Sequence, residues 1–216
     1  MPFDIYDFRE DIRNVVITPT IRSRFLQMEP GAVAQRHSHD LGYEVFLILA
    51  GQCEFEIDGD IAVLGPGQMC FTRPDQMHQV RVIGDEPMTM YLSVTPHIEP
   101  THSFWDADGN KLPPRYGGST SRERAAAGLA QTESTASLVD RQVVAAQALA
   151  VVTASAAESQ AKAAEALKAA ISRGDSVAAK SATDNLALEI ERIHKSLDAL
   201  GLIWNDVAVR ASPNGE

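Results

Sequence analysis

The chain has 216 residues, 44% of them hydrophobic and 22% charged, enough for one large domain or two small ones with a sizeable core. Nineteen basic against 29 acidic residues give a net charge of −10, a surface that repels phosphate backbones and anionic membranes, so neither nucleic acid nor a membrane is an expected partner. The opening MPFDIYDFREDIRN lacks the apolar stretch of a signal peptide, no run long enough to span a bilayer occurs, and two cysteines are too few for a disulfide framework, so the expected location is cytoplasmic.

Composition changes near residue 118. Before it, Val, Ile, Phe, Gly and Pro are frequent, and short strands are predicted at 21–28, 33–39, 44–50, 52–57, 61–64, 68–72, 78–83 and 88–95. Glu29-Pro30-Gly31, Asp58-Gly59 and Gly65-Pro66-Gly67 supply the turns. Many short strands at this spacing imply a sandwich or barrel. Residues 96–118 are rich in proline and glycine and read as an irregular crossover wrapped on the first domain, anchored by Phe104 and Trp105.

After residue 118 alanine dominates. One helix is predicted from about Thr132 to Ser172, with a shorter piece before it from Ser121, and a second runs to about Leu200. Gly174 stops the first, and Asp175 or Ser176 caps the second. Leu186, Ile190, Ile193, Leu197 and Leu200 are spaced four and three apart, a seam answered by Leu138, Val139, Val143, Ala146, Ala150, Thr153, Leu167 and Ile171. The short break predicts an antiparallel hairpin, with Gly201 ending the seam and the tail ASPNGE disordered. Two helices bury little surface, so a further partner is expected, and the assembly read from this seam is a homodimer. The expected domains are 1–118, a β-barrel with an N-terminal arm and crossover segment, and 119–216, a helical hairpin with its tail.

The chemistry concentrates in GAVAQRHSHDLGYEVFLILAG, residues 31–51. In a strand, residues two apart share a face, so His37 and His39 point the same way. Gly42 lets the chain turn, and Glu44 then faces the same side at the head of an apolar run. A carboxylate there is costly without a partner. Imidazoles and a carboxylate converging on one point make a first-row metal site, and His78, opening its own strand, is the natural fourth ligand. His97, His102 and His194 have no partner at ligand spacing and receive no function.

Gly31, His37, His39, Glu44 and Gly51, with five, one, four and six residues between them, resemble the first motif of the cupin superfamily. Gly67, Pro74 and His78 resemble the second, with Gln76 where a glycine is usual and without the trailing asparagine. The resemblance covers roughly residues 20–96 and leaves the helical half outside it. It implies a fold that is mainly β plus α: a double-stranded β-helix barrel, here followed by an α-helical hairpin. It implies a metal held by His37, His39, Glu44 and His78 with two positions of an octahedron open. Fe, Mn, Ni or Zn would suit that set, iron or manganese being favoured. Inward positions Gln35, Phe46, Ile48, Phe55 and Val80 would line the pocket, with Tyr43, Arg73, Gln76 and Tyr91 as outer candidates. The partner is then a small molecule with an apolar body. The function expected first is a non-haem metal oxygenase acting on a small organic molecule. A metal-dependent isomerase or lyase, and a non-catalytic sensing module with a helical dimerisation element, stay open beside it.

Overall fold

A computed structural model describes residues 3–117 and 133–212 of the chain. Eight strands come first: β1 (Asn14–Ile17), β2 (Arg22–Met28), β3 (Tyr43–Ala50), β4 (Gln52–Ile57), β5 (Asp60–Leu64), β6 (Met69–Thr72), β7 (His78–Ile83) and β8 (Met88–Thr95). Two helices follow, α1 (Thr135–Ser172) and α2 (Ser176–Ala211). The chain divides into two compact units, Met1–Gln131 with Ala208–Glu216, and Thr132–Val207.

The strands form two sheets, one ordered β1-β2-β8-β3-β6 and the other β5-β4-β7. Strand alternation sends every second residue inward. Phe46 and Ile48 pair with Leu92 and Met90 in the first sheet, while Cys53 and Phe55 pair with Val82 and Val80 in the second. These side chains meet as one core, in which Ile48 and Met90 have no exposed surface. The fold is the mainly β plus α architecture expected, a two-sheet β-sandwich followed by a helical hairpin.

The turns follow their local chemistry. Asp58 and Gly59 both have positive φ, 51° and 92°, as a two-residue hairpin between β4 and β5 demands. Gly51 links β3 to β4 at φ 69°, and a Cβ there would lie 2.5 Å from the Pro87 carbonyl oxygen. No other residue fits that close approach.

Two strand expectations change. Asn14–Ile17 forms an edge strand in what read as an arm, for a four-residue run carries too little alternation to stand out. Residues 33–39 do not form a continuous strand. Val33 bridges Arg81 and His37 bridges His78, a one-residue slip in register along β7 that interrupts the ladder as a bulge does.

In the helical unit, Ser134 caps α1 by accepting the Ser137 N–H at 3.1 Å. Gly174, with φ 66°, ends α1, and Asp175 caps α2 by accepting the Ala178 N–H at 2.9 Å. The less exposed positions on α2 include Ala182, Leu186, Ile193, Leu200, Ile203 and Val207, and on α1 they include Leu138, Ala145, Leu149, Val152, Ala156, Leu167 and Ala170. The seam is therefore only partly the one expected: Leu138, Leu167, Leu186, Ile193 and Leu200 belong to it and the other expected members do not. Ile190 and Leu197 are 50% and 49% exposed, and Val139, Val143 and Ile171 are exposed as well. The apolar residues occupy more than one stripe, and a list of hydrophobics mixes them. Helix α2 also runs through Gly201 and Trp204 to Ala211, because a buried interior glycine costs only about 1 kcal/mol in a long helix. The shorter helix expected from Ser121 and most of the tail lie outside the described residues.

Candidate metal centre

Glu44 and His78 belong to the same inward rows as the core. Positions 44, 46 and 48 of β3 and 78, 80 and 82 of β7 share faces, so one end of the apolar core closes with a carboxylate and an imidazole. His37 bridges His78 main chain to main chain, and His39 follows two residues later. His39, Glu44 and His78 are 1%, 3% and 2% exposed, and His37 is half-buried. One ligand atom from each of the four lies within 4.8 Å of the others.

The ring orientations are fixed from outside. The Nδ1–H of His37 donates to the Gln35 carbonyl at 2.8 Å and that of His78 to the Gln76 carbonyl at 2.9 Å, while His39 uses Nδ1 on the Thr101 carbonyl. A carbonyl can only accept, so each Nδ1 carries the proton and each Nε2 is the atom left for the centre. His39 Nε2 stands 2.7 Å and His78 Nε2 3.2 Å from one oxygen of Glu44. Without a metal, those contacts need a proton on each Nε2 or on the carboxyl. A divalent cation replaces those protons with coordination. Three imidazole nitrogens and one carboxylate oxygen with locked tautomers therefore fit a metal ion.

The electrostatics agree. Burial raises the Glu44 carboxyl, but hydrogen bonds and charge from His39 and His78 outweigh it and hold the group well below the usual range. Burial, reinforced by His78, lowers His37 from 6.5 to about 4, so its imidazole is neutral and available as a ligand at neutral pH.

Gln76, the departure from the motif, has a structural role. Its Nε2–H donates to Asp58 Oδ2 at 2.9 Å, its Oε1 accepts the Arg73 N–H at 3.0 Å, and its carbonyl orients His78. The left-handed backbone position in this loop falls on Asp75, φ 66°. Gln35 acts through its carbonyl. Phe46, Ile48, Phe55 and Val80 lie in the closed core, with Phe46 5.8 Å from the His78 ring. Tyr43 and Tyr91 point outward from β3 and β8, where Tyr43 is 48% exposed and the Tyr91 hydroxyl is 2.9 Å from Ser23 Oγ. Arg73 is exposed over the Phe71 ring.

His102 is the residue sequence reasoning missed. Its ring centroid is 4.8 Å from that of His37 and 4.9 Å from that of His39, as close as the ligands stand to one another. Burial and the neighbouring His37 and His39 hold it neutral, well below its ordinary value. The crossover segment brings it there. Ser103 exchanges two main-chain hydrogen bonds with Ser38 and donates its hydroxyl to Asp40 at 2.6 Å. Phe104 stacks on His102 at 6.1 Å, while Trp105, 37% exposed, contributes an indole hydrogen bond to Ser38 more than burial. No spacing rule links residue 102 to residues 37 and 39. The available signal was the polar run Thr101-His102-Ser103 inside an otherwise Pro-rich crossover.

Residues 24–95 match the family model described as a cupin domain. Among solved structures, an uncharacterised conserved protein with a double-stranded β-helix domain from Klebsiella pneumoniae is 22% identical, over 43% of this chain and 89% of that one, with a TM-score of 0.41. The TT1209 protein of Thermus thermophilus is 20% identical over 44% of this chain and 98% of its own, at 0.40. The DMSP lyase DddQ of Ruegeria pomeroyi is 26% identical over 39% of this chain and 43% of its own, at 0.36. No curated protein matches the chain.

Proposed function

This chain carries a cupin domain over residues 24–95, and on that premise we propose that it is a metal-dependent oxygenase acting on a small organic molecule. The observation that carries the reading is the convergence of three oriented Nε2 atoms and one carboxylate oxygen at the end of a closed apolar core. The mixed nitrogen and oxygen donor set suits iron, manganese, nickel or zinc, and the oxygenase reading favours iron or manganese among them. Bound there, the metal would supply Lewis acidity and redox chemistry at its open positions. The chain's own residues would do the rest: His37, His39, Glu44 and His78 hold the ion, and the apolar core behind them excludes water.

A specific observation favours a second reading. His102 places a neutral imidazole beside the ligand set, a group able to take or give a proton in a redox-neutral isomerase or lyase. Oxygen uptake separates the two. Protein loaded anaerobically with iron and then exposed to air with small phenols, diketones and thiols should consume oxygen in step with one substrate class. Metal-loaded protein that transforms a substrate without oxygen uptake would move the assignment to the isomerase or lyase.

The exposed Ile190 and Leu197 support a homodimer through the helices, and the free thiols Cys53 and Cys70 support a reducing, cytoplasmic setting. Among the described residues no helix is long and apolar enough to cross a membrane.

A further inference from the structure

The crossover segment does more than brace the ligands. Residues 104 and 112 are tied by a main-chain hydrogen bond of 2.8 Å, and Trp105 bridges Lys111, so the chain doubles back on itself. Between this fold and residues 100–103 lies a cavity of about 520 Å³. That volume is in the range of small-molecule sites, roughly 300–1,000 Å³. His102 lines it and also touches the rings of His37 and His39. Phe104 also lines it and stands 6.1 Å from the His37 ring, so two side chains link the chamber to the candidate ligands.

The lining states what would fit. Phe104, Leu112 and several prolines give apolar, stiff walls that lose little entropy when a ligand settles. The charged lining residues are one cation and one carboxylate, and a second cation stands beside them. Lys111 lines the chamber and Arg115 lies over the Phe104 ring at 4.9 Å, against one carboxylate, Asp40. Asp40 already accepts from Ser103 and pairs with Lys111. Lysine carries three donors and guanidinium five, so both cations keep donors to offer. Arg115 thus leaves one cation in excess beside the chamber, on a chain whose net charge is −10. Phe46, Ile48, Phe55 and Val80 pack against one another in the core of the sandwich.

We propose that this chamber is the substrate site of the metal centre and that it takes a small carboxylic acid with a ring-sized apolar body. The carboxylate lies on the Lys111 and Arg115 side, and the other end meets His102. The proposal rests on the reading of His37, His39, Glu44 and His78 as metal ligands, but the binding step belongs to the crossover segment and Asp40.

Benzoate is the probe, with benzyl alcohol and acetate as the neutral and the ring-less controls. Binding to the full chain is followed by calorimetry and by the NMR signals of the histidine rings, in metal-free and metal-loaded protein. Benzoate should bind and shift the His102 ring signals while leaving those of exposed His194 in place. Benzyl alcohol and acetate should bind at least about tenfold more weakly. Leu112→Trp, which fills the chamber, and Arg115→Met, which removes a cation without touching Asp40, should each weaken benzoate by about tenfold or more. Both variants should keep the wild-type metal content. Wild-type affinity in Leu112→Trp, or no benzoate binding at millimolar concentration to the wild type, would overturn the proposal. Benzoate binding to a chain that takes up no metal would leave the chamber standing and remove the metal function instead.

Discussion

The two units bury opposite things. In the sandwich, large apolar side chains fill the interior together with buried polar groups such as Arg22, Thr72 and His97, and the candidate ligands His39, Glu44 and His78 are as buried as Phe46. In the hairpin the most buried positions include Ala156, Ala170 and Ala182, while Val143, Val151, Leu188, Ile190 and Leu197 face outward. Strands force alternation, so which residues face inward can be read from the sequence. A helix with several apolar stripes does not settle which one is its core. Both units also carry exposed apolar side chains, Ile61, Val63 and Met69 on the sandwich and Val151, Val177 and Leu188 on the hairpin.

The sharpest way to test this contrast is by volume. Phe55→Ala empties a site 2% exposed and should destabilise the sandwich by about 3–5 kcal/mol, read as a lower midpoint in urea followed by near-UV dichroism. A change below about 1 kcal/mol would show the core to be looser than its packing implies. In the hairpin, volume is the danger. Ala156 has no exposed surface, so Ala156→Leu should overpack its surroundings at a cost of about 1–3 kcal/mol, and a stabilised helical signal would contradict the tight burial of that position.

Between these in size lies a pH effect confined to the sandwich unit. Burial, helped by the Arg22 charge, lowers His97 from 6.5 to about 4. The folded state then holds fewer protons than the unfolded one between these values, so stability rises with pH across that window and is lost as pH falls through it. Full loss, below about pH 4, is worth about 3 kcal/mol for this one group. Denaturant midpoints measured from pH 7 down to pH 4 should fall, and His97→Gln should remove the share of one proton from the slope. An unchanged slope would contradict a neutral buried His97.

The smallest free-energy change belongs to the outer stripe of the hairpin. Ile190→Asp with Leu197→Asp alters side chains already about half exposed, so the single chain should fold as before. Its assembly should not survive. Sedimentation should show a smaller species than the wild type, and an unchanged stable assembly would show that another surface joins the chains.

The legible part of the molecule was the part written in local spacing. His37, His39 and Glu44 sit within eight residues, and the topology that brings His78 to them is carried by turns whose residues announce themselves. Asp58-Gly59 and Gly51 adopt the positive φ that their sequence implies. What was not legible depends on distance along the chain. His102 reaches the site because Ser103 pairs with Ser38, 65 residues away, and no periodicity encodes that. The slip between Val33 and His37 is a tertiary accommodation to β7. The hairpin seam was ambiguous because alanine is helical on every face, so the sequence offers several registers and only packing selects one.

The central claim is that four side chains hold one metal ion. Elemental analysis of protein purified without a histidine tag, beside His39→Ala and His194→Ala, tests it most directly. The account predicts about one equivalent of iron or manganese in the wild type, the same in His194→Ala, and an affinity in His39→Ala reduced by more than the roughly 10–100-fold typical of an outer partner. Equal metal in all three proteins, or none in any of them after anaerobic loading, would contradict it.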